Sequence, residues 1–247
     1  MKIFRKIRFD ILKKNSNGKY LKYAIGEIIL VVIGILIALQ INLWNEDRKN
    51  QNILTANLHG VLKELKIDAN KINQLLINYK RDNKKRKAFI NAPNYEKLNL
   101  GQLEENIENF SKDLNIQYTY FKKIQNSGIT QFGEYTDIME GLIYYYDNAL
   151  PYFSKLTATF DEQVTREDEF WRYEQDYYEF NYLDGLKSYQ EDNNAKKELI
   201  KLLKSPTARN ILKIDMRRNL FLENQLSDLQ PKLNKLISSL DKKLKKE

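Results

Sequence analysis

The chain has 247 residues and a formal net charge of +8, with 41 Lys or Arg, 33 Asp or Glu and no Cys. The missing Cys excludes disulfide bonds and thiol chemistry. Residues 1–44 hold eight basic and two acidic side chains, so a net charge of +6 lies there and only +2 remains for the other 203 residues. The positive charge is therefore local and does not indicate nucleic-acid binding by the whole chain.

Residues 1–19 are predicted to form a basic amphipathic tail on the cytoplasmic side of a membrane. The apolar side chains of this tail fall on one face of a helix, and Lys and Arg occupy the other faces. This pattern is typical of a helix that lies on an anionic membrane surface. The apolar residues are Ile3, Phe4, Ile7 and Ile11. A tail that only sets the orientation of the protein in the membrane is the alternative.

Residues 20–44 are predicted to form one transmembrane helix, because their middle, residues 28–39, is apolar without a break. A helix rises ~1.5 Å per residue, so about 20 mostly apolar residues cross a hydrocarbon layer ~30 Å thick. Tyr20, Tyr23 and Trp44 stand where the two headgroup layers would lie. A buried helix of a soluble domain is the alternative, and it is disfavoured because this segment is apolar on every face.

The basic residues around the span predict its orientation. Eight Lys or Arg lie at or before its start, whereas only Arg48 and Lys49 occur in the first eighteen residues after it. By the positive-inside rule, the N-terminus is cytoplasmic and residues 45–247 lie in the periplasm or outside the cell, with the span in the inner (cytoplasmic) membrane. The long apolar segment has no small-x-small cleavage site after it, which favours an uncleaved signal anchor.

Glu27, Gly34 and Ala38 share one face of the span and form a candidate interface with another membrane helix. Gly34 and Ala38 are small and lie four residues apart, a spacing that lets two helices approach closely. Glu27 lies near the cytoplasmic end, where Lys22 or the basic tail can neutralise its charge. The predicted partners are therefore the lipid bilayer and either a second copy of the chain, giving a homo-oligomer, or another membrane protein.

Residues 45–247 are predicted to form one extracytoplasmic domain, an elongated antiparallel helical bundle, so the predicted fold class is all-α. No segment alternates polar and apolar residues as a strand would. Helices are expected at residues 45–90, 100–114, 117–126, 138–180, 195–204 and 206–244. Gly128 is expected to cap the third of these in a left-handed conformation, and Pro151 is expected to interrupt the fourth. Ser205 is expected to cap the start of the last helix, with Pro206 at the first helical position.

Two apolar stripes indicate how the bundle is packed. The first follows a heptad-like pattern along residues 54–79. The second is a series of Leu residues in the last helix, spaced by three or four positions, which is typical of a bundle seam. These residues are Leu222, Leu226, Leu229, Leu233, Leu236, Leu240 and Leu244.

Three stretches of the chain carry a resemblance to a known family. They are YLKYAIGEIILVVIGILIALQINLWNEDRKN at residues 20–50, TYFKKIQNSGI at residues 119–129, and the last helix, which opens with Ser-Pro. The chain resembles an uncharacterised family of bacterial single-pass membrane proteins, recorded only as a domain of unknown function. The resemblance implies an N-terminal anchor and a helical outer domain, and it implies no activity, cofactor or catalytic residue.

Few residue patterns indicate catalysis. His59 is the only His, which argues against a multi-His zinc site, and it is expected on the surface. The chain has no Gly-rich phosphate-binding motif. The acids of residues 167–179 offer carboxylates for general acid–base hydrolysis, but they interleave with aromatic residues as in a charged solvent face. We therefore expect a protein that is not an enzyme, with no catalytic, cofactor-binding or metal-binding residue, and a carboxylate-dependent hydrolase is the last alternative.

Aromatic residues are concentrated between residues 118 and 189, which contain twelve of the sixteen Tyr, six of the eleven Phe and Trp171. Neighbouring residues of a helix point about 100° apart, so three consecutive Tyr at 144–146 cannot all face one core. Some are therefore expected to be exposed to solvent or bound to a partner. The candidate partner surface consists of Tyr144, Tyr146, Trp171 and Tyr178. A wide helix buried on several sides is the alternative.

The basic run at residues 80–87 is expected to be a solvated face, because the predicted topology places it away from nucleic acid.

The predicted function is that of a membrane-anchored, non-catalytic envelope protein, a protein-interaction, scaffolding or accessory subunit. The alternative is an extracytoplasmic ligand sensor. A sensor would have to signal through a membrane partner, since only about twenty residues lie in the cytoplasm.

Overall fold

A computed structural model describes residues 17–91, 94–108, 114–179 and 189–246. Across these ranges the chain is helical and contains no β-strand, which confirms the all-α prediction. The chain divides into two compact units, Met1–Ala56 and Asn57–Glu247. Of the amphipathic tail predicted for residues 1–19, residues 1–16 lie outside the described residues.

A long N-terminal helix is followed by shorter helices and by a second long helix near the C-terminus. The α-helices of the described ranges are α1 (Asn17–Asn91), α2 (Leu100–Glu105), α3 (Thr119–Gln125), α4 (Thr136–Ile143), α5 (Leu150–Arg172), α6 (Asp192–Leu203) and α7 (Pro206–Leu244). Short 3₁₀ turns at Tyr95–Lys97 and Gly133–Tyr135 precede α2 and α4. A π-helix, Tyr144–Ala149, joins α4 to α5.

The first unit contains the N-terminal part of α1, which carries its apolar side chains on the surface. Every large apolar side chain described between Leu21 and Leu43 is 46–66 % exposed. The helix is long and apolar enough to cross a membrane. This part of α1 is therefore a candidate membrane span.

In the second unit, α1 and α7 run antiparallel, because rising residue numbers in α1 pair with falling numbers in α7. The side-chain pairs are Lys66 with Asp241 at 3.1 Å, Asn73 with Gln230 at 3.3 Å, and Asn83 with Glu223 at 2.7 Å. The predicted apolar stripe of α1 faces inward, and from Leu58 to Tyr79 its residues are at most 9 % exposed. The predicted Leu seam of α7 is also buried, except for Leu236, which is half-buried and contacts Gly141 of α4.

Two contacts hold α3 against α1. The ring of Tyr120 lies directly over Gly60, where an added Cβ would be only 2.3 Å from the ring carbons. The Glu64 carboxylate accepts the backbone N–H groups of Thr119 at 2.9 Å and of Tyr120 at 3.2 Å. A carboxylate of α1 therefore supplies the N-terminal cap that α3 lacks in its own sequence.

Pro151 interrupts the regular α-helix, as predicted. The interruption is the π-helix Tyr144–Ala149, whose turns are wider than those of an α-helix. The Leu150 N–H donates to the Tyr145 carbonyl, five residues earlier, within the π-helix. In an α-helix the Pro ring would clash with the carbonyl four positions before it, and Pro has no N–H to donate. The π-helix accommodates both properties, and α5 continues beyond it.

The sequence signals at two helix ends are confirmed and a third is wrong. Gly128 follows α3 with a φ of +73°, in the left-handed region that favours Gly. The Ser205 hydroxyl accepts the Ala208 N–H at 3.2 Å at the start of α7. The predicted end of α5 near residue 180 is wrong, since α5 ends at Arg172. After that residue the backbone leaves the helical conformation, and the Gln175 amide donates to the Phe170 carbonyl at 2.8 Å.

Candidate functional site

Three helices bring four charged side chains together inside the second unit. Arg86 comes from α1, Glu167 from α5, and Asp215 and Arg218 from α7. Their side chains are only 5–11 % exposed. We call these four residues the charge cluster.

Arg guanidinium groups bind both carboxylates of the charge cluster. Arg86 Nη2 lies 3.1 Å from Asp215 Oδ2, and Arg218 Nη2 lies 3.6 Å from Asp215 Oδ1. Arg218 also donates to both oxygens of Glu167, through Nη1 at 2.6 Å and through Nη2. Such two-point contacts are the strongest geometry for an Arg–carboxylate pair. The cluster holds two positive and two negative charges, so each buried charge has a partner.

Arg86 links the charge cluster to the segment that follows α2. Its guanidinium donates to the carbonyl of Asn106 and, at 3.2 Å, to that of Glu108. Burial lowers the pKa of Arg86, and the charges of Asp215 and Glu167 oppose this shift. The prediction of a helix from residue 100 to 114 is wrong, because α2 ends at Glu105. The carbonyls that would continue it face Arg86 instead.

The acids at residues 167–179 were the candidates for hydrolysis, and three of them have structural partners. Glu167 is held by the charge cluster. Asp168 pairs with Arg172, one helical turn away, at 2.9 Å. The Glu179 carboxylate accepts two backbone N–H groups of the segment beginning at residue 189, at 2.9 and 3.0 Å. These contacts order the region around the end of α5.

Asp68 of α1 is a further buried carboxyl, 1 % exposed, and the charge cluster does not include it. The Tyr145 hydroxyl lies 3.3 Å from Asp68 Oδ2 and donates to it. Burial raises the pKa of Asp68 to about 7, while the Tyr145 hydrogen bond and the charge of Lys71 oppose the shift and Glu64 adds to it. Burial also raises the pKa of Glu64 itself. This part of α1 therefore holds a carboxyl group that changes its protonation near neutral pH.

Aromatic rings cover the Asp68 carboxyl. Tyr146 stacks on Phe121 of α3 with ring centroids 4.8 Å apart, and it meets Tyr145 edge to face at the same centroid distance. The Tyr146 hydroxyl is buried and has no hydrogen-bond partner among the described residues. Burial raises the pKa of both Tyr hydroxyls, and the nearby Asp68 adds to that shift. Both hydroxyls therefore remain neutral.

The structure separates the four residues of the candidate partner surface. Tyr144 is 49 % exposed, with the Lys232 ammonium 5.5 Å from its ring centroid. Tyr146, Trp171 and Tyr178 are at most 7 % exposed and belong to the interior. Tyr178 donates a hydrogen bond to the buried Glu104 carboxylate, which explains how its hydroxyl is accommodated away from water. Of the four, only Tyr144 is available to a partner.

The candidate membrane-helix interface lies on the first unit. Gly34 has no atom within 4 Å of the position of an added Cβ, and Ala38 is exposed. Glu27 is half-buried on the same helix. The structure therefore leaves the small-residue face of the span open.

The basic run at residues 80–87 does not form one uniform face. Arg86 turns inward to the charge cluster, and Asn83 is 5 % exposed. Lys85 pairs with Glu105 at 2.6 Å.

His59 lies on the surface, as expected. Within the described ranges, no group of three or more His, Cys, Asp or Glu side chains is placed to hold a metal ion.

The described residues define an all-helical protein with one candidate membrane span. Residues 27–137 match the model of a family of unknown function, DUF6090. This match begins in the candidate span and ends in α4, and it agrees with the resemblance to an uncharacterised domain. Comparison with curated proteins and with solved structures gives no match.

The sequence analysis missed the charge cluster, although α7 carries a signal for it. The buried face of α7 includes Leu212 and Leu222, and Asp215 and Arg218 occupy the positions between them on that face. Charged residues at seam positions indicate buried ion pairs. The predicted seam begins at Leu222, after which every seam position is Leu, so it does not include this interruption.

Replacing Arg218 tests whether the charge cluster stabilises the fold. We expect Arg218→Ala to lower the free energy of unfolding by about 3–5 kcal/mol, because two carboxylates would remain buried without this cation. The matched control is Lys204→Ala, which removes a solvent-exposed pair with Glu96 and is expected to cost much less than Arg218→Ala. Denaturant unfolding of the full chain in detergent, followed by circular dichroism, measures both losses. Equal losses in the two variants would contradict the prediction.

Asp68 makes the stability of the protein depend on pH. Its pKa is higher in the folded protein than the ordinary value of 3.8, so its stabilising effect is complete below that value and is lost as the pH rises through about 7. We expect the free energy of unfolding to fall by roughly 2–4 kcal/mol between about pH 4.5 and pH 8. Asp68→Asn should remove most of this fall.

Unfolding curves at several pH values measure this dependence. Asp241→Asn is the control, because hydrogen bonds from Lys245 and Lys66 lower the pKa of Asp241, which places its titration below this pH range. That variant should keep the pH dependence of the unmodified chain. A pH dependence that persists in Asp68→Asn would show that another group is responsible.

Proposed function

We propose that this chain is a membrane-anchored, non-catalytic protein of the cell envelope that acts by binding other proteins, as a scaffold or accessory subunit. The observation that carries the anchor is the 46–66 % exposure of every large apolar side chain described between Leu21 and Leu43. Burying one such side chain gains about 1.5–3 kcal/mol. A bilayer buries all faces of a helix at once, which suits a segment that is apolar all round.

The charge distribution supports an orientation with the N-terminus in the cytoplasm and residues 45–247 beyond the inner membrane. Basic residues are concentrated before the span, as the positive-inside rule requires of the cytoplasmic side. At the other end of the span, Arg48 lies 5.8 Å from the centroid of the Trp44 ring. A Trp with a nearby cation is typical of the headgroup layer.

Two features of the second unit support a binding role over a catalytic one. The candidate catalytic acids Glu167, Asp168 and Glu179 bind structural partners. The second feature is that several aromatic rings of this unit are exposed to solvent. Exposed aromatic rings are efficient anchors for protein partners. Among the Tyr residues whose exposure the structure describes, the most exposed are Tyr144, Tyr152, Tyr173, Tyr177 and Tyr189.

The face of the span that carries Gly34 and Ala38 is the surface we propose for contact within the membrane. Both residues are small, and neither is covered in the structure. Close approach of two helices at such a face gains van der Waals contact, which drives association in a bilayer. The partner is a second copy of the chain or the span of another membrane protein.

Membrane extraction tests the anchor. We expect the full chain to stay in the membrane pellet after alkaline carbonate treatment and to dissolve only in detergent. Ile33→Lys with Leu36→Lys should release it, because two central Lys cost roughly 5–7 kcal/mol of insertion free energy. Ile33→Leu with Leu36→Ile is the matched control.

Protease accessibility tests the proposed orientation. Protease added to spheroplasts should digest residues 45–247, and protection of these residues until lysis would overturn the proposed orientation.

A glycine substitution tests the contact within the membrane. We expect Gly34→Leu to reduce cross-linked adducts of the chain in intact membranes by about tenfold, because the larger side chain keeps the helices apart. Gly26→Leu is the matched control, since Gly26 is equally open but lies about 80° around the helix from Gly34. Equal adduct yields in the two variants would remove the proposed interface.

A further inference from the structure

The outer face of α7 borders two adjoining grooves. One lies between α5 and α7 and has a volume of about 560 Å³, and the other lies between α1 and α7 and has a volume of about 310 Å³. Arg217 and Leu220 line both of them. The two grooves therefore adjoin at these two residues, and we call them together the α7 groove.

The α7 groove exposes apolar side chains. Ile214, Leu220 and Phe221 are 47, 39 and 40 % exposed. Leu156 and Phe160 of α5 form the opposite wall. The Phe160 and Phe221 rings meet edge to face with centroids 6.4 Å apart, so the two walls already contact each other.

The length of the α7 groove fits a helix. Its lining residues on α7 run from Lys213 to Asn224, which corresponds to ~16 Å at ~1.5 Å per residue. Ile214 and Phe221 lie seven positions apart on this face. An amphipathic helix that docks in a groove makes its main contacts at positions i, i+3 or i+4, and i+7, which span about 10 Å and fit within this length.

The charges around the α7 groove have one sign. Lys87, Lys213 and Arg217 are exposed at its edges, and none of its lining residues in the described part of the chain is a carboxylate. Arg218 also lines it, but the charge cluster already compensates that charge. An occupant with carboxylates beside its apolar face would therefore gain both apolar burial and charge pairing.

We propose that the α7 groove binds an amphipathic α-helix of a partner protein whose apolar stripe is flanked by Asp or Glu. This proposal rests on the proposed protein-binding function and identifies the kind of partner. Three exposed cations are few for nucleic acid, whose affinity comes mainly from many phosphate contacts. The apolar lining follows the spacing of a helix, which favours a helical occupant over an acyl chain.

The first test uses a fluorescent synthetic helix of about 18 residues with Leu at the contact positions and Glu at the flanks. Its control has Lys in place of Glu. We expect the acidic helix to bind the full chain in detergent with a Kd about tenfold lower than the basic one. Arg217→Glu should abolish this preference, and Phe221→Ala should weaken binding about tenfold.

Ile77→Ala is the matched control, because Ile77 is 50 % exposed on α1 and does not line the α7 groove. That variant should bind the acidic helix unchanged. Equal affinities for the acidic and basic helices, or no effect of Arg217→Glu and Phe221→Ala, would overturn the proposal. Circular dichroism of each variant excludes a loss of fold as the cause.

A second test separates the α7 groove from the proposed function. A photo-cross-linking amino acid at Phe221, at Tyr144 or at Tyr152 is activated in intact cells, and the adducts are identified by mass spectrometry. An adduct at Phe221 with an acidic amphipathic segment of another protein supports the proposal. Protein adducts only at Tyr144 or Tyr152 overturn the α7 groove but keep the binding role. A lipid or a second copy at Phe221 overturns the proposed partner, and no protein adduct at any position overturns both proposals.

Discussion

The packing of the second unit depends on the charge cluster. The seam of α7 repeats Leu at every third or fourth position, so a shift along α1 by one heptad would bury a similar apolar area. Arg86 and Asp215 oppose such a shift, because it would leave buried charges without partners at a cost of about 3–5 kcal/mol. Glu167 extends the same constraint to α5. We infer that the apolar seam supplies most of the stability and that the charge cluster selects one register.

This register also determines which face of α7 remains open. Arg218 turns inward to Glu167, and its neighbour Arg217 therefore lies about 100° around the helix, on the surface. The same relation holds between Leu222, which is 5 % exposed, and Phe221, which is 40 % exposed. The buried ion pairs and the exposed groove are thus two faces of one helix, and changing the register would alter both.

The sequence predicted those parts of the fold that depend on local patterns. The Leu seam of α7 and the turn at Gly128 follow from apolar periodicity and from backbone conformation, which neighbouring residues determine. The early end of α2 and the burial of Tyr146 and Trp171 depend on residues distant in sequence. Arg86 draws the carbonyls after α2 toward it, and α3 covers the Tyr146 ring. A single-helix pattern contains no information about such contacts, so it does not show that the fold buries three of the four residues of the candidate partner surface.

The charge cluster and the Asp68 site, both buried in the second unit, differ in how their charge is balanced. In the charge cluster, two guanidinium groups face two carboxylates, so the ionised forms support one another. Asp68 instead has a neutral Tyr145 hydroxyl as its hydrogen-bond partner, and burial acts on its charge without full compensation. Asp68 also contacts the π-helix that allows α5 to continue past Pro151. The response of the fold to pH near neutrality is therefore expected where α1 meets this π-helix, whereas the charge cluster keeps α7 in register and the α7 groove in shape.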